Sequence, residues 1–151
     1  TVHDTLTAAG FEHYEVSNYA LPGFRARHNA SYWHGTKYLG IGPAAHSFDG
    51  EERHWNASSV EKYIAGAPAG KEVLTRRDRF NEYVMTALRT VEGIDLEEAA
   101  ARFGAKRLAR MQEEAAPFLR SGTLRIARGR MALPPEKFLI SDAVIGALFE
   151  T

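Results

Sequence analysis

Arg27-His28-Asn29-Ala30-Ser31-Tyr32-Trp33-His34 is the stretch whose residue types and spacing could do chemistry. It sets a metal-capable imidazole beside two large aromatic side chains. If the segment is helical, His28 and Tyr32 stand at i and i+4 and share a face, with Trp33 next to that face. A ring nitrogen can ligate iron while flat apolar rings cover a macrocycle, so these residues suit a planar ligand with an iron centre. They also read as ordinary core anchors, with Tyr32 and Trp33 packed inward and His28 capping or hydrogen-bonding locally.

Other constellations are less specific. Gly40-Ile41-Gly42-Pro43-Ala44-Ala45-His46-Ser47 is a small-residue loop after a strand-like run, and small residues let a backbone approach a nucleotide-like ligand closely. The third glycine of a dinucleotide fingerprint is absent, and a tight turn explains the loop better. His13 and Glu15 fall on the polar face of a strand, where they could do acid–base work inside a barrel or be solvated. His46 and His54 flank a hairpin and read as structural. Between Arg102 and Arg130, eight basic residues meet only Glu113 and Glu114, a net charge of +6. Lys106, Arg107 and Arg110 on a helix, with Arg125, Arg128 and Arg130 on a hairpin, could contact nucleic acid as recognition helix and wing. Such a run is more often a solvated face.

Composition sets the bounds for these readings. The chain has 151 residues, enough for one domain or two small ones. Its formal net charge is zero, so there is no global pull toward polyanions. With no cysteine it can form no disulfide, thiolate zinc site or cysteine-ligated iron–sulfur cluster. The lack of a long apolar run or a signal-peptide pattern leads us to expect a cytoplasmic location. The chain opens at Thr1 in helix-like sequence without Met, and it reads as a piece of a longer protein.

The elements that must position these residues can be read from pattern. Residues 1–9 look like a helix closed by Gly10. Phe11 to Ser17 alternates as one strand, and helix–Gly–strand is half of an α/β repeat. Leu21-Pro22-Gly23 is a loop. Tyr38 to Gly42 reads as a buried strand, Asp49-Gly50 as a hairpin turn with Arg53 to Asn56 returning, Ser58 as a helix cap, and 66–70 as a linker. Thr75 with Asp78 caps a helix carrying Phe80, Tyr83, Val84, Ala87, Leu88 and Val91 on one stripe. Asp95 with Glu98 opens a second helix that Gly104 stops. A third carries Leu108, Met111, Ala115 and Leu119 inward, with Pro117 fraying its end. Leu124 to Leu133 is a hairpin around Arg128-Gly129, and Ile140 to Phe149 is a last helix. Three helices, a hairpin and a helix make a winged-helix-like order.

Several of these motifs stand together in chain order. They are Tyr14-Glu15-Val16-Ser17-Asn18-Tyr19-Ala20, Pro22-Gly23, Arg27-His28-Asn29 with Tyr32-Trp33, Tyr38-Leu39-Gly40-Ile41-Gly42, Ala45-His46-Ser47, and Leu88-Arg89-Thr90 with Gly93-Ile94. The set resembles the C-terminal part of the radical-SAM, oxygen-independent coproporphyrinogen III oxidase-like family. The H-N-x-x-Y-W pattern at His28 to Trp33 points to its haem-chaperone branch. The resemblance is specific in the first half of the chain and looser after Gly104.

What the resemblance implies goes further than the residues do alone. It implies an α/β plus α+β architecture: residues 1–66 as the last strands of a partial (β/α) radical-SAM barrel, and residues 71–151 as a winged-helix-like C-terminal helical domain. It implies that the parent protein binds haem and delivers it to acceptor apoproteins, membrane-bound ones included, at the inner face of the cytoplasmic membrane. His28 would be the haem-iron ligand, with Asn29, Tyr32 and Trp33 completing the haem site. Ala20, Gly40, Gly42 and Ala44 would lie on the S-adenosylmethionine side, where Pro43 replaces a more usual small residue. S-adenosylmethionine and a [4Fe–4S] cluster are implied for the full-length parent. The cluster's C-x-x-x-C-x-x-C motif is absent here, so this chain alone should be inactive. Strands at Tyr14 to Ser17 and Tyr38 to Gly42 without their sheet neighbours would leave an unpaired edge, so a homodimer is expected, and nucleic acid is not an expected partner. Two alternatives stay open: oxidative decarboxylation of coproporphyrinogen III, and a winged-helix module that docks nucleic acid or protein.

Overall fold

Thr1 and Asp4 cap one another, and the chain enters helix α1 (Val2–Ala8), which a left-handed Gly10 (φ +87°) ends. The coordinates are a computed structural model that describes residues 1–33, 35–68 and 70–151; the side chains of Asn29 and Tyr32 also lie outside the described part. After Gly10 the chain forms β1 (Glu12–Glu15) and β2 (Asn18–Ala20), paired antiparallel. The single strand expected through Ser17 is therefore a hairpin. The Glu15 carboxylate folds over the turn and accepts from the Ser17 amide (3.4 Å), the Ser17 hydroxyl (3.3 Å) and the Asn18 side-chain amide. Such local side-chain bonds compete with a continuing strand. Helix α2 (Arg27–Trp33) follows the Pro22-Gly23 loop, so His28 is helical, as its i, i+4 relation to Tyr32 requires.

Residues 35–79 form a compact unit of their own. Its sheet is β3 (His46–Phe48), β4 (Glu52–Trp55) and β5 (Gly70–Val73), all antiparallel, with helix α3 (Val60–Ile64) between β4 and β5. The buried strand expected over Tyr38 to Gly42 is not formed. Tyr38 bridges Phe48, but Leu39 and Ile41 are 80% and 82% exposed. Gly40 presses on the His46 backbone where a Cβ would collide, and Gly42 (φ +108°) turns the chain away from an extended path. Strand β5 begins at Gly70, the last residue of the linker expected over 66–70, and was not itself expected as a strand. Its Gly70 leads into a strand because it leaves room for the indole of Trp55 opposite.

The other unit combines residues 1–34 with 80–151. Thr75 and Asp78 cap helix α4 (Arg76–Leu88), whose Phe80, Val84 and Leu88 are buried. Next come β6 (Ile94–Asp95), α5 (Leu96–Phe103) and α6 (Ala105–Arg120), with Asp95 capping α5 and Gly104 (φ +94°) between the helices. Pro117 sits in the last turns of α6 without stopping it. Strands β7 (Arg125–Ala127) and β8 (Arg130–Ala132) are joined by Arg128 and Gly129, both at positive φ, the two-residue turn that matches strand twist. A 3-10 turn over Pro135–Ile140 leads into α7 (Ser141–Leu148). The short β6 completes a sheet of order β6-β8-β7. Phe80, Leu88, Ile94, Met111, Leu124, Met131 and Leu148 lie in one core. The molecule is thus a mixed helix and sheet structure, and every strand pair among the described residues is antiparallel. No helix among those residues is long and apolar enough to cross a membrane.

Candidate functional site

The hairpin β1–β2 is locked in place by the segment after α4. Val16 donates to the Arg89 carbonyl (3.0 Å), Val91 donates to the Tyr14 carbonyl (3.1 Å), and Glu15 bridges Thr90. Beside this junction lies a cavity of about 380 Å³. Its floor is the turn from Glu15 to Asn18, and its walls are Trp33, Arg89 and Asp142. Trp33 thus connects the cavity to helix α2, on which His28 is exposed. Of the four residues expected at an iron-macrocycle site, the structure places His28 and Trp33 on one short helix. The side chains of Asn29 and Tyr32 lie outside the described residues.

Arg89 and Asp142 were not legible as site residues. Arg89 stands directly after the last core position of α4, where a charged residue reads as a solvated helix end. Its Nη2 donates to Asp142 Oδ1 (2.9 Å), while its Nε is buried with no acceptor. Asp142 is in the first turn of α7 and its side chain is 82% exposed. Glu15, by contrast, is almost wholly buried and takes its three donors from its own turn.

The polar face expected on β1 is buried. His13 stacks on Tyr19 (ring centroids 4.0 Å apart) and meets the edge of Phe138. Its Nε2 contacts the Val16 carbonyl (3.2 Å), which fixes the proton there, and its Nδ1 faces His3 Nδ1 at 3.0 Å. Burial pushes the His13 pKa below its ordinary value, against the Val16 hydrogen bond, which favours the charged form. Both ring nitrogens are engaged, so His13 has no position free for acid–base work. Burial also raises the phenol of Tyr83 to about 12, and that hydroxyl spans the backbone of Asp95.

In the unit 35–79 the small-residue loop is tied internally. Gly40 donates to the Ser47 hydroxyl (2.9 Å), Gly42 to the Tyr63 hydroxyl (3.2 Å) and Ala44 to the Ala57 carbonyl (3.1 Å). Asn56 in turn donates to the carbonyls of Gly42 and Gly40. These amides are spent on the loop's own shape. Ala20, the remaining residue expected on the S-adenosylmethionine side, is buried at the end of β2 in the other unit. His46 and His54 are not opposite one another: His46 pairs with Trp55, and His54 with Ser47.

The basic run is largely neutralised. Arg102 pairs with Glu98, Arg107 with Glu150, Arg110 with Glu114, Arg125 with Glu136 and Arg130 with Asp95. A polyanion face needs cations that are not already committed. Among the described residues, no group of three or more His, Asp or Glu could hold a metal ion.

Comparison with known proteins agrees with the family seen in the motifs. Residues 74–140 match the model of the HemN C-terminal domain. A protein named heme chaperone HemW from Mycobacterium tuberculosis is 38% identical over 149 residues, which cover 95% of this chain and 36% of that protein. The heme chaperone HemW of Lactococcus lactis subsp. lactis is 36% identical over 68% of this chain and 28% of its own length. The chain therefore spans about a third of the length of the curated relatives it matches. Among solved structures, the coproporphyrinogen III oxidase HemN of Escherichia coli, a radical SAM enzyme, superposes with a TM-score of 0.72. That match covers 98% of this chain and 39% of the other at 17% identity, which is a likeness of fold.

Proposed function

The chain belongs to the radical-SAM coproporphyrinogen III oxidase-like family, as a C-terminal part of its haem-chaperone branch, and on that premise we propose that the whole protein binds haem and hands it to acceptor apoproteins. The observation that carries this reading is the helix α2. His28 stands at an exposed position on it, and it ends in Trp33, which walls a cavity. An exposed imidazole suits a ligand that must be released as well as bound, because the iron can be approached by the acceptor's own ligand. Asn29 and Tyr32 complete the proposed site by sequence.

Residues 1–66 are read as the last strands of a radical-SAM barrel and 71–151 as a winged-helix-like domain. The sheet order β6-β8-β7 around α5 and α6 supports the second assignment. Ala20, Gly40, Gly42 and Ala44 are assigned to the S-adenosylmethionine side. Because the loop's amides are occupied internally, it would offer close backbone approach rather than amide donation there. The [4Fe–4S] cluster would be ligated outside these residues, since the chain has no cysteine. A location at the inner face of the membrane, membrane-bound acceptors and a homodimer complete the proposal. The committed arginines between Arg102 and Arg130 weigh against the nucleic-acid reading.

The test uses the whole protein. Haemin is titrated in while the Soret band is followed, and the loaded protein is mixed with an apo haem protein. Haem binding and transfer, with no decarboxylation of coproporphyrinogen III, is the expected result. Decarboxylation with no haem transfer would make it an oxidase instead.

A further inference from the structure

We propose that the cavity beside α2 is a subsite for an acidic side arm of the bound macrocycle, and that Arg89 takes its carboxylate. The inference rests on the haem reading above and adds a residue to it. Three observations lead there. First, Trp33 belongs both to the haem motif and to the cavity wall, so a ligand centred over α2 meets the cavity at its edge. His28 and Trp33 are separated by about 7.5 Å along a helix axis. A porphyrin carries its iron at the centre and its acid groups at the rim, so one helix can face both.

Second, the guanidinium of Arg89 is under-used. It has one acceptor, the exposed carboxylate of Asp142, and its buried Nε has none. Arginine's planar fork of donors fits a carboxylate through two parallel bonds. The backbone of Arg89 is held by Val16 and by Thr86, which leaves the side chain to be directed by what binds.

Third, the two carboxylates lining the cavity do not block an incoming one. Glu15 is saturated by Ser17 and Asn18 and makes no ion pair with Arg89. Asp142 is held to Arg89 through solvent-exposed oxygens, an arrangement that water and salt screen strongly. It acts as a placeholder that the ligand's acid displaces. The same chemistry could serve the carboxylate of a small amino-acid-like ligand, and esterifying the porphyrin separates the two.

The experiment compares haemin with its dimethyl ester on the whole protein, for wild type, Arg89→Met, Arg89→Lys and Asp142→Asn. Wild type is expected to bind haemin at least about tenfold more tightly than the ester, a difference of about 1.4 kcal/mol. Arg89→Met should lose most of that preference through weaker haemin binding and leave the ester unchanged. Arg89→Lys, which keeps the charge without the fork, should fall between. Asp142→Asn alters an exposed side chain and is safe for folding; it should bind haemin more tightly by removing the competitor. Equal weakening of both ligands in Arg89→Met, or unchanged or weaker haemin binding in Asp142→Asn, overturns the subsite. A preference of wild type for haemin that survives in Arg89→Met assigns the acid to another residue and also overturns it. Wild type that binds neither porphyrin removes the haem reading, and the subsite with it.

Discussion

His28 and the hairpin histidines give the sharpest contrast between single residues. If His28 ligates the haem iron as proposed, His28→Ala in the whole protein leaves only ring contacts and should weaken haemin binding by far more than Trp33→Ala, which loses about 1–3 kcal/mol of apolar and stacking contact. His46→Ala and His54→Ala should bind like wild type, because both side chains sit on a sheet in the unit 35–79 and play no part in the proposed site. Soret titration of the four variants decides this. Normal binding by His28→Ala together with failure of His46→Ala would move the ligand to the hairpin. His13 supplies a pH prediction. Its folded pKa lies below its unfolded value, so the unfolded chain takes up the proton first. The stability associated with neutral His13 is therefore fully present above the ordinary histidine pKa and is lost as pH falls through the lowered folded value. Thermal unfolding measured at pH 7.5 and at pH 5.5 should show a larger drop for wild type than for His13→Gln. Equal drops would mean that His13 is not the titrating group.

At the scale of elements, the legible parts of the sequence were those whose signal is local. The capping pairs Thr75–Asp78 and Asp95–Glu98, the stripe Phe80–Val84–Leu88 and the Arg128-Gly129 turn all stand where pattern placed them. What pattern missed depends on partners distant in sequence. Strand β5 pairs with β4, where the indole of Trp55 leaves room only for a glycine opposite, and β6 pairs with β8, which returns to it thirty-odd residues later. The hairpin at Val16 was hidden because its turn is made by a glutamate rather than by glycine or proline. In the candidate site, His28 and Trp33 could be read from spacing, but Arg89 and Asp142 could not, since only the fold brings them to residues 15–18. Two substitutions test the element boundaries. Thr75→Ala removes the cap of α4 and should cost about 1 kcal/mol. Gly93→Ala should cost more: its φ is +64° and a Cβ would lie 2.8 Å from Ala132 Cα, so a strain of about 1–3 kcal/mol is joined by a backbone collision with β8. Urea unfolding measures both, and a Gly93→Ala protein as stable as wild type would mean that the β6–β8 contact is looser than described.

For the molecule as a whole, the absence of cysteine makes a firm prediction. Reconstituting this chain with iron and sulfide should give no stable iron–sulfur absorbance, and S-adenosylmethionine incubated with it should remain intact. A stoichiometric [4Fe–4S] signal would contradict the assignment of cluster ligation to other residues. A different consequence follows from where the cavity's walls lie along the chain. They come from positions 15–18, 33, 89 and 142, while the core that supports them begins at Phe80 and ends at Leu148. During synthesis at roughly 5–20 residues per second, the α2 helix therefore leaves the ribosome on the order of ten seconds before its last neighbour exists. A growing chain carries the imidazole early but has no walled pocket to go with it. Only a polypeptide translated almost to Leu148 can present both, so on the proposed reading the cavity's contribution to binding arises late in synthesis, after the imidazole's.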